Sequence, residues 1–175
     1  MKSILKTLIC ASLLMPIFAS AQLETGDDAP AFELTGSDGK TYKLADLKGT
    51  AVVLAWFPKA FTGGCTKECK SLRENGESLA KYEVAHFTAS CDTVEKNTAF
   101  AKDLELNYPI LSDPGKEVAK AYGVVSATRP FPQRWTFYID AEGKIAYIDK
   151  KVKVGDHGAD IVAKLEELGV KTKEG

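Results

Sequence analysis

What this 175-residue chain has little of narrows what it can be. No apolar stretch approaches the ~20 residues that a membrane-spanning helix needs; the longest runs only from Leu8 to Phe18. Basic and acidic residues nearly balance, 23 against 24, and neither sign gathers into a run. That excludes the electrostatic footprint of a nucleic-acid binder or of a protein held on an anionic membrane. Only four cysteines occur and no Cys-x-x-Cys, so the dithiol motif of a disulfide oxidoreductase is missing. Histidine occurs twice, at His86 and His157, leaving few imidazoles for a metal. No repeat, linker or low-complexity segment divides the chain.

What is present begins with a targeting pattern. Lys2 and Lys6 precede the apolar run, and Ala19-Ser20-Ala21 follow it in small-x-small order, as in a secretory signal cleaved after Ala21. The expectation is an exported protein, periplasmic or secreted, with no stable membrane insertion once the signal is cut. Residues 22–175 should form one domain with its own core. Cys10 would leave with the signal, and loss of the two lysines takes the net charge to about −3. Cys65, Cys69 and Cys91 remain. An odd, small number of cysteines in a compartment that permits disulfides points to reactive thiol chemistry.

From Gln22 to Lys48, turn residues separate short apolar pieces around Phe32 and Leu34 and around Tyr42 and Leu44, which predicts a hairpin. Ala51 to Phe57 is continuously apolar, as a strand covered on both faces should be, and is the expected centre of the sheet. A helix is predicted from about Cys65 towards Tyr82, a strand at Val84–Ser90, a helix over about Thr93–Leu106 and a short one over about Lys116–Tyr122. Arg134–Ile139 and Lys144–Ile148 read as a second hairpin around residues 140–143. Ile161, Leu165 and Leu168 mark one face of a last helix that Gly169 can cap. This order implies an α/β thioredoxin-like fold: a central mixed sheet flanked by helices, with an N-terminal hairpin extension.

The chemistry lies in Pro58-Lys59-Ala60-Phe61-Thr62-Gly63-Gly64-Cys65, between the central strand and the next helix. Reactive groups in parallel sheets gather at the carboxyl ends of strands. A cysteine in the first helical turn meets unpaired backbone N–H groups and the positive end of the helix dipole, which favour thiolate over thiol. A lone cysteine is usually an inert core residue, but a Gly-Gly loop at a strand–helix junction is not a core setting. Taken singly, Thr62 would be a turn or capping residue, Pro58 a strand terminator and Arg134 a surface charge. Trp56, Phe57 and Trp135 read as core.

Pro58, Thr62 and Cys65 stand in the spacing Pro-x-x-x-Thr-x-x-Cys. With Ser90-x-Asp92, Leu111-Ser112-Asp113 and Arg134-x-Thr136-Phe137-x-Ile139-Asp140 they make the chain resemble the peroxiredoxins of the AhpC/TSA superfamily, closest to the peroxiredoxin Q or bacterioferritin-comigratory type. The resemblance implies a cofactor-free peroxidase that reduces hydrogen peroxide or organic hydroperoxides. Cys65 would be the peroxidatic cysteine, Thr62 would hold sulfur and peroxide, Pro58 would shield the pocket, and Arg134 would stabilise thiolate and transition state. A thioredoxin-like protein or small thiol would return the electrons, and the enzyme would be a monomer or weak dimer.

The resolving cysteine departs from the pattern, which sets it five positions after the first; Cys69 follows Cys65 by four. Helical residues four apart have Cβ atoms ~5–6 Å apart, whereas a disulfide needs about 3.5–4.5 Å, so a Cys65–Cys69 bond requires the first turn to loosen. Cys69 is favoured because a short loop closes at low entropic cost; Cys91, at a strand end, is the alternative. The rival from another class is an exported copper chaperone of the Sco type, which Cys65-Thr66-Lys67-Glu68-Cys69 also resembles. That function needs an imidazole beside the two thiolates, where this chain has Arg134.

Overall fold

The computed structural model describes residues 22–173. The expected signal at residues 1–21 lies outside them. The central run forms β3 (Ala51–Trp56), buried at every position. It pairs in parallel with β4 (Val84–Ser90), register Val53 to His86, and antiparallel with β6 (Thr136–Ile139), register Val53 to Tyr138. β5 (Ile110–Ser112) adds to β4 in parallel, and β7 (Ile145–Asp149) completes the predicted second hairpin on β6. The N-terminal hairpin, β1 (Glu33–Gly36) and β2 (Thr41–Lys43), joins the other edge antiparallel to β5. The result is a seven-stranded mixed sheet in the order β2-β1-β5-β4-β3-β6-β7.

The helices are α1 (Gly63–Glu74), the one-turn α2 (Gly76–Leu79), α3 (Val94–Asp103), α4 (Glu117–Ala121) and α5 (His157–Glu167). The single helix expected to reach Tyr82 is instead two. Asn75 turns back through its amide onto the Ser71 carbonyl (2.9 Å), and Gly76 lies against the side-chain amide of Asn107, which a Cβ there would displace. β5 and a 3-10 turn at Leu44–Leu47 are additions to the expected list. The three residues of β5, between Pro109 and Asp113, are too few for alternation to be read.

Strand alternation sorts the core into two faces. Val52, Leu54, Trp56, Phe87, Phe137 and Tyr122 pack on one side. Val53, Leu72, Tyr138, Ile161 and Leu165 pack beneath α1 and α5 on the other, where Phe57, Cys65, Cys69 and Phe100 continue the layer towards α3. Arg134 and Thr136 share the parity of Tyr138 and so belong to the α1 side.

α1 and α5 meet closely. The Gly158 N–H donates to Ser71 Oγ (3.0 Å), and a Cβ on Gly158 would lie 2.2 Å from the Ser71 carbonyl oxygen. Backbone cannot retreat as a side-chain tip can, so Gly158→Ala should push the helices apart at a cost of about 2 kcal/mol, within the usual range for overpacking. A denaturant midpoint unchanged by that substitution would disprove the close approach.

Candidate active site

Where β3 ends, Pro58 takes the chain into a loop that returns as α1. Pro58 is half-buried and Thr62 exposed. Phe61 sits in the left-handed region (φ 63°) with 52% of its surface exposed, its ring 4.9 Å from that of Phe100. The loop is tied to the next strand: Ala60 N–H donates to Asp92 Oδ2 (2.8 Å), and Asp92 is fixed by Ser90 Oγ (3.1 Å) and Lys96 Nζ (2.5 Å). This gives the Ser90-x-Asp92 segment a physical task, holding the cysteine loop in place.

Thr62 occupies the position before α1 and its hydroxyl donates to the Lys59 carbonyl (2.9 Å). Its bond is thus to the loop, and the oxygen's lone pairs stay available. The first rung of α1 runs from Thr66 N–H to Thr62 O (2.9 Å), so the N–H groups of Gly63, Gly64 and Cys65 precede the ladder.

Cys65 is buried, and its Sγ accepts from Arg134 Nη2 at 3.3 Å. Trp56 N–H to Trp135 O (2.9 Å) extends the β3–β6 pairing past β6 and brings Arg134 beside the loop. The guanidinium packs over Gly64, where a Cβ would lie 3.4 Å from Arg134 Nη2, an ordinary contact.

Two residues without an expected role complete the cluster. Glu68, one turn after Cys65, has no exposed surface; one carboxylate oxygen contacts Arg134 Nη1 and the other lies 3.0 Å from His157 Nδ1. His157 Nε2 lies 2.8 Å from Thr136 Oγ1. The Glu68 contacts are close but off the hydrogen-bond angle, so charge and confinement hold the carboxylate rather than aligned bonds. The readable signal was a charge on an otherwise apolar face, since Cys65, Glu68, Cys69 and Leu72 share one side of α1.

Cys69 is buried on that face, and burial pushes its thiol up to about 12. Cys91 is half-buried; burial and the nearby Asp113 carboxylate push it likewise to about 12. Cys91 packs with the Trp56 cluster, on the sheet face opposite Cys65 and Cys69. All three thiols are free. The copper reading is disfavoured here: a guanidinium stands at the Cys65 sulfur, His157 Nε2 is taken up by Thr136, and its Nδ1 faces the Glu68 carboxylate.

The family model described as AhpC/TSA family matches residues 25–148. Peroxiredoxin Bcp of Bacillus subtilis is 36% identical over 155 residues, covering 85% of this chain and 99% of that protein. Peroxiredoxin Bcp of Escherichia coli is 35% identical over 151 residues, 83% of this chain and 97% of its own. Among solved structures, peroxidoxin BcpB from Mycobacterium tuberculosis superposes with a TM-score of 0.75 at 30% identity, over 83% of this chain and 98% of that one. Peroxiredoxin Q of Xanthomonas campestris gives 0.73 at 25% identity, over 78% and 90%.

Both histidines are held neutral. Burial lowers His157 to about 4, and burial with nearby Lys173 lowers His86 to about 4, where its Nε2 is enclosed without a partner. The unfolded chain, with imidazoles near ~6.5, binds more protons below that pH than the folded chain does. The histidine contribution to stability should therefore fall as pH drops from about 6.5 to about 4 and change no further below. His86→Phe should flatten part of that slope in urea titrations across this range; a variant slope equal to wild type would remove His86 from the account.

Proposed function

The chain belongs to the AhpC/TSA family and is a thiol-dependent peroxidase of the peroxiredoxin type, and from this premise we propose that Cys65 is the sulfur that attacks the hydroperoxide. The observation that carries this is the Arg134 contact to a buried cysteine in the first turn of α1. The thiolate attacks the terminal oxygen, the O–O bond breaks, and the departing oxygen leaves as alcohol or water after taking a proton. Cys65 is left as a sulfenic acid. Negative charge builds on the departing oxygen, so donors fixed in advance are the largest catalytic contribution available. In this proposal Arg134 and the amides of Gly64 and Cys65 supply them. Thr62, its own proton given to Lys59, accepts from the peroxide, while Pro58 limits water.

Cys69 is the proposed resolving cysteine. Its sulfur attacks the sulfenic acid, water leaves, and a Cys65–Cys69 disulfide forms. The sheet separates Cys91 from Cys65, which supports this choice. A buried thiol near 12 is a poor nucleophile at neutral pH, so the step needs α1 to open first. A thioredoxin-like protein or small thiol then reduces the disulfide. The signal pattern supports action outside the cytoplasm, and the resemblance to the peroxiredoxin Q type supports a monomer or weak dimer.

Cys65→Ser should abolish peroxide consumption with the fold intact by circular dichroism; turnover in that variant would end this reading. Arg134→Met should slow single-turnover oxidation by roughly a hundredfold, as loss of one preorganised donor does. A wild-type rate would remove the arginine from the reaction. One equivalent of peroxide should yield a Cys65–Cys69 link by peptide mapping and faster amide exchange at Thr66 to Cys69. A Cys65–Cys91 link with unchanged exchange there would give the resolving role to Cys91.

A further inference from the structure

The reaction as proposed makes no use of the buried polar chain behind Arg134. It runs from Arg134 to Glu68, from Glu68 Oε1 to His157 Nδ1 at 3.0 Å, and from His157 Nε2 to Thr136 Oγ1 at 2.8 Å. Glu68, His157 and Thr136 have no exposed surface, so water cannot substitute for any link. Four side chains from α1, α5 and the β6 segment meet at a spot whose one outlet is Arg134 Nη2, at the Cys65 sulfur.

The chemistry of the groups fixes their roles. A carboxylate only accepts, so the imidazole nitrogen facing Glu68 carries the hydrogen; the other nitrogen then accepts from the Thr136 hydroxyl. With the ring neutral, Glu68 and Arg134 balance one another and nothing competes with Arg134 for the carboxylate. Burial is the largest influence and favours that neutral form; Asp149 of β7 opposes it, Arg134 favours it, and Asp160 of α5 opposes it least. The close meeting of α1 and α5 at Ser71 and Gly158 sets the ring beneath Glu68. Without the ring, the carboxylate loses its second wall and the guanidinium its fixed partner.

We propose that His157 is a positioning residue for peroxide reduction: its Nδ1–H confines the Glu68 carboxylate, and Glu68 in turn aims the Arg134 guanidinium at Cys65. This rests on the reading that Cys65 is the attacking sulfur. The residue acts through two others and touches neither sulfur nor peroxide.

The test is single-turnover oxidation by hydrogen peroxide, followed by tryptophan fluorescence between about pH 5 and 9. His157→Leu removes both ring nitrogens. It should lower the second-order rate constant about tenfold, less than deletion of the donor itself, and shift the rise of rate with pH to more alkaline values. His157→Asn keeps an N–H where Nδ1 stood and should recover the rate to within about threefold. Combined with Glu68→Gln, His157→Leu should cost less than it does alone, since the two act in one line. Thr136→Val, nearly the same shape, gives a milder loss with the same alkaline shift and serves if His157→Leu does not fold. A wild-type rate and pH profile in His157→Leu or Thr136→Val, with only the melting temperature lowered, overturns the proposal. So does an asparagine variant no faster than the leucine one. Activity in Cys65→Ser would instead remove the reading beneath it, whereas inactive Cys65→Ser beside unaffected His157 variants removes the positioning role alone.

Discussion

A carboxylate with no exposed surface must be matched where it lies, because leaving one charge buried and unpaired costs several kcal/mol. Glu68 imposes that condition on the structure around it. Arg134 must come in from just before β6 and His157 from the start of α5, so an inner strand of the sheet, first helix and last helix are fixed relative to one another at one point. The approach of Gly158 to Ser71 follows from the same demand, since a wider gap between α1 and α5 would take the imidazole away from Glu68. A buried ion pair seldom adds much stability against an apolar replacement. What this one does is direct a guanidinium: one amino group is spent on Glu68 and the other is left facing the Cys65 sulfur.

Local chemistry explains what the sequence makes readable. The apolar run of β3, the turn residues around both hairpins and the loop-to-helix setting of Cys65 are short-range signals, and each appears in the structure near its expected place. Strand parity goes further, since Arg134, Thr136 and Tyr138 alternate onto the face that α1 covers. β5 escaped because three residues carry no usable period. The break after Glu74 escaped because the Asn107 side chain packed against Gly76 lies thirty-one positions away in sequence and is in contact only once folded.

Glu68 and His157 were missed for the same reason. Eighty-nine positions separate them, and no spacing rule spans that distance. By itself, a glutamate inside Cys-x-x-x-Cys is most simply a solvated helix residue. The apolar company of Cys65, Cys69 and Leu72 on its face of α1 was the one local sign that it turns inward. Thr62 shows the reverse case. Its position was plain, but its hydroxyl proton goes to the Lys59 carbonyl, a choice made by loop geometry and not by residue type.

The location of Glu68 between two cysteines has a further consequence under the proposed resolution by Cys69. Bond formation between Cys65 and Cys69 requires α1 to unwind between the two cysteines, and Glu68 lies in that stretch. The carboxylate must then leave Arg134 and His157, and the guanidinium loses the partner that aims it. The arrangement that reacts with peroxide and the arrangement that completes the disulfide therefore exclude each other. While α1 is wound, Cys69 is buried with its thiol near 12 and cannot compete for the oxidant. Once α1 opens, Cys69 gains reactivity as the peroxide site is dismantled. A single helical turn thus separates the two half-reactions, and the buried charge within it opposes the opening until the sulfur of Cys65 has been oxidised.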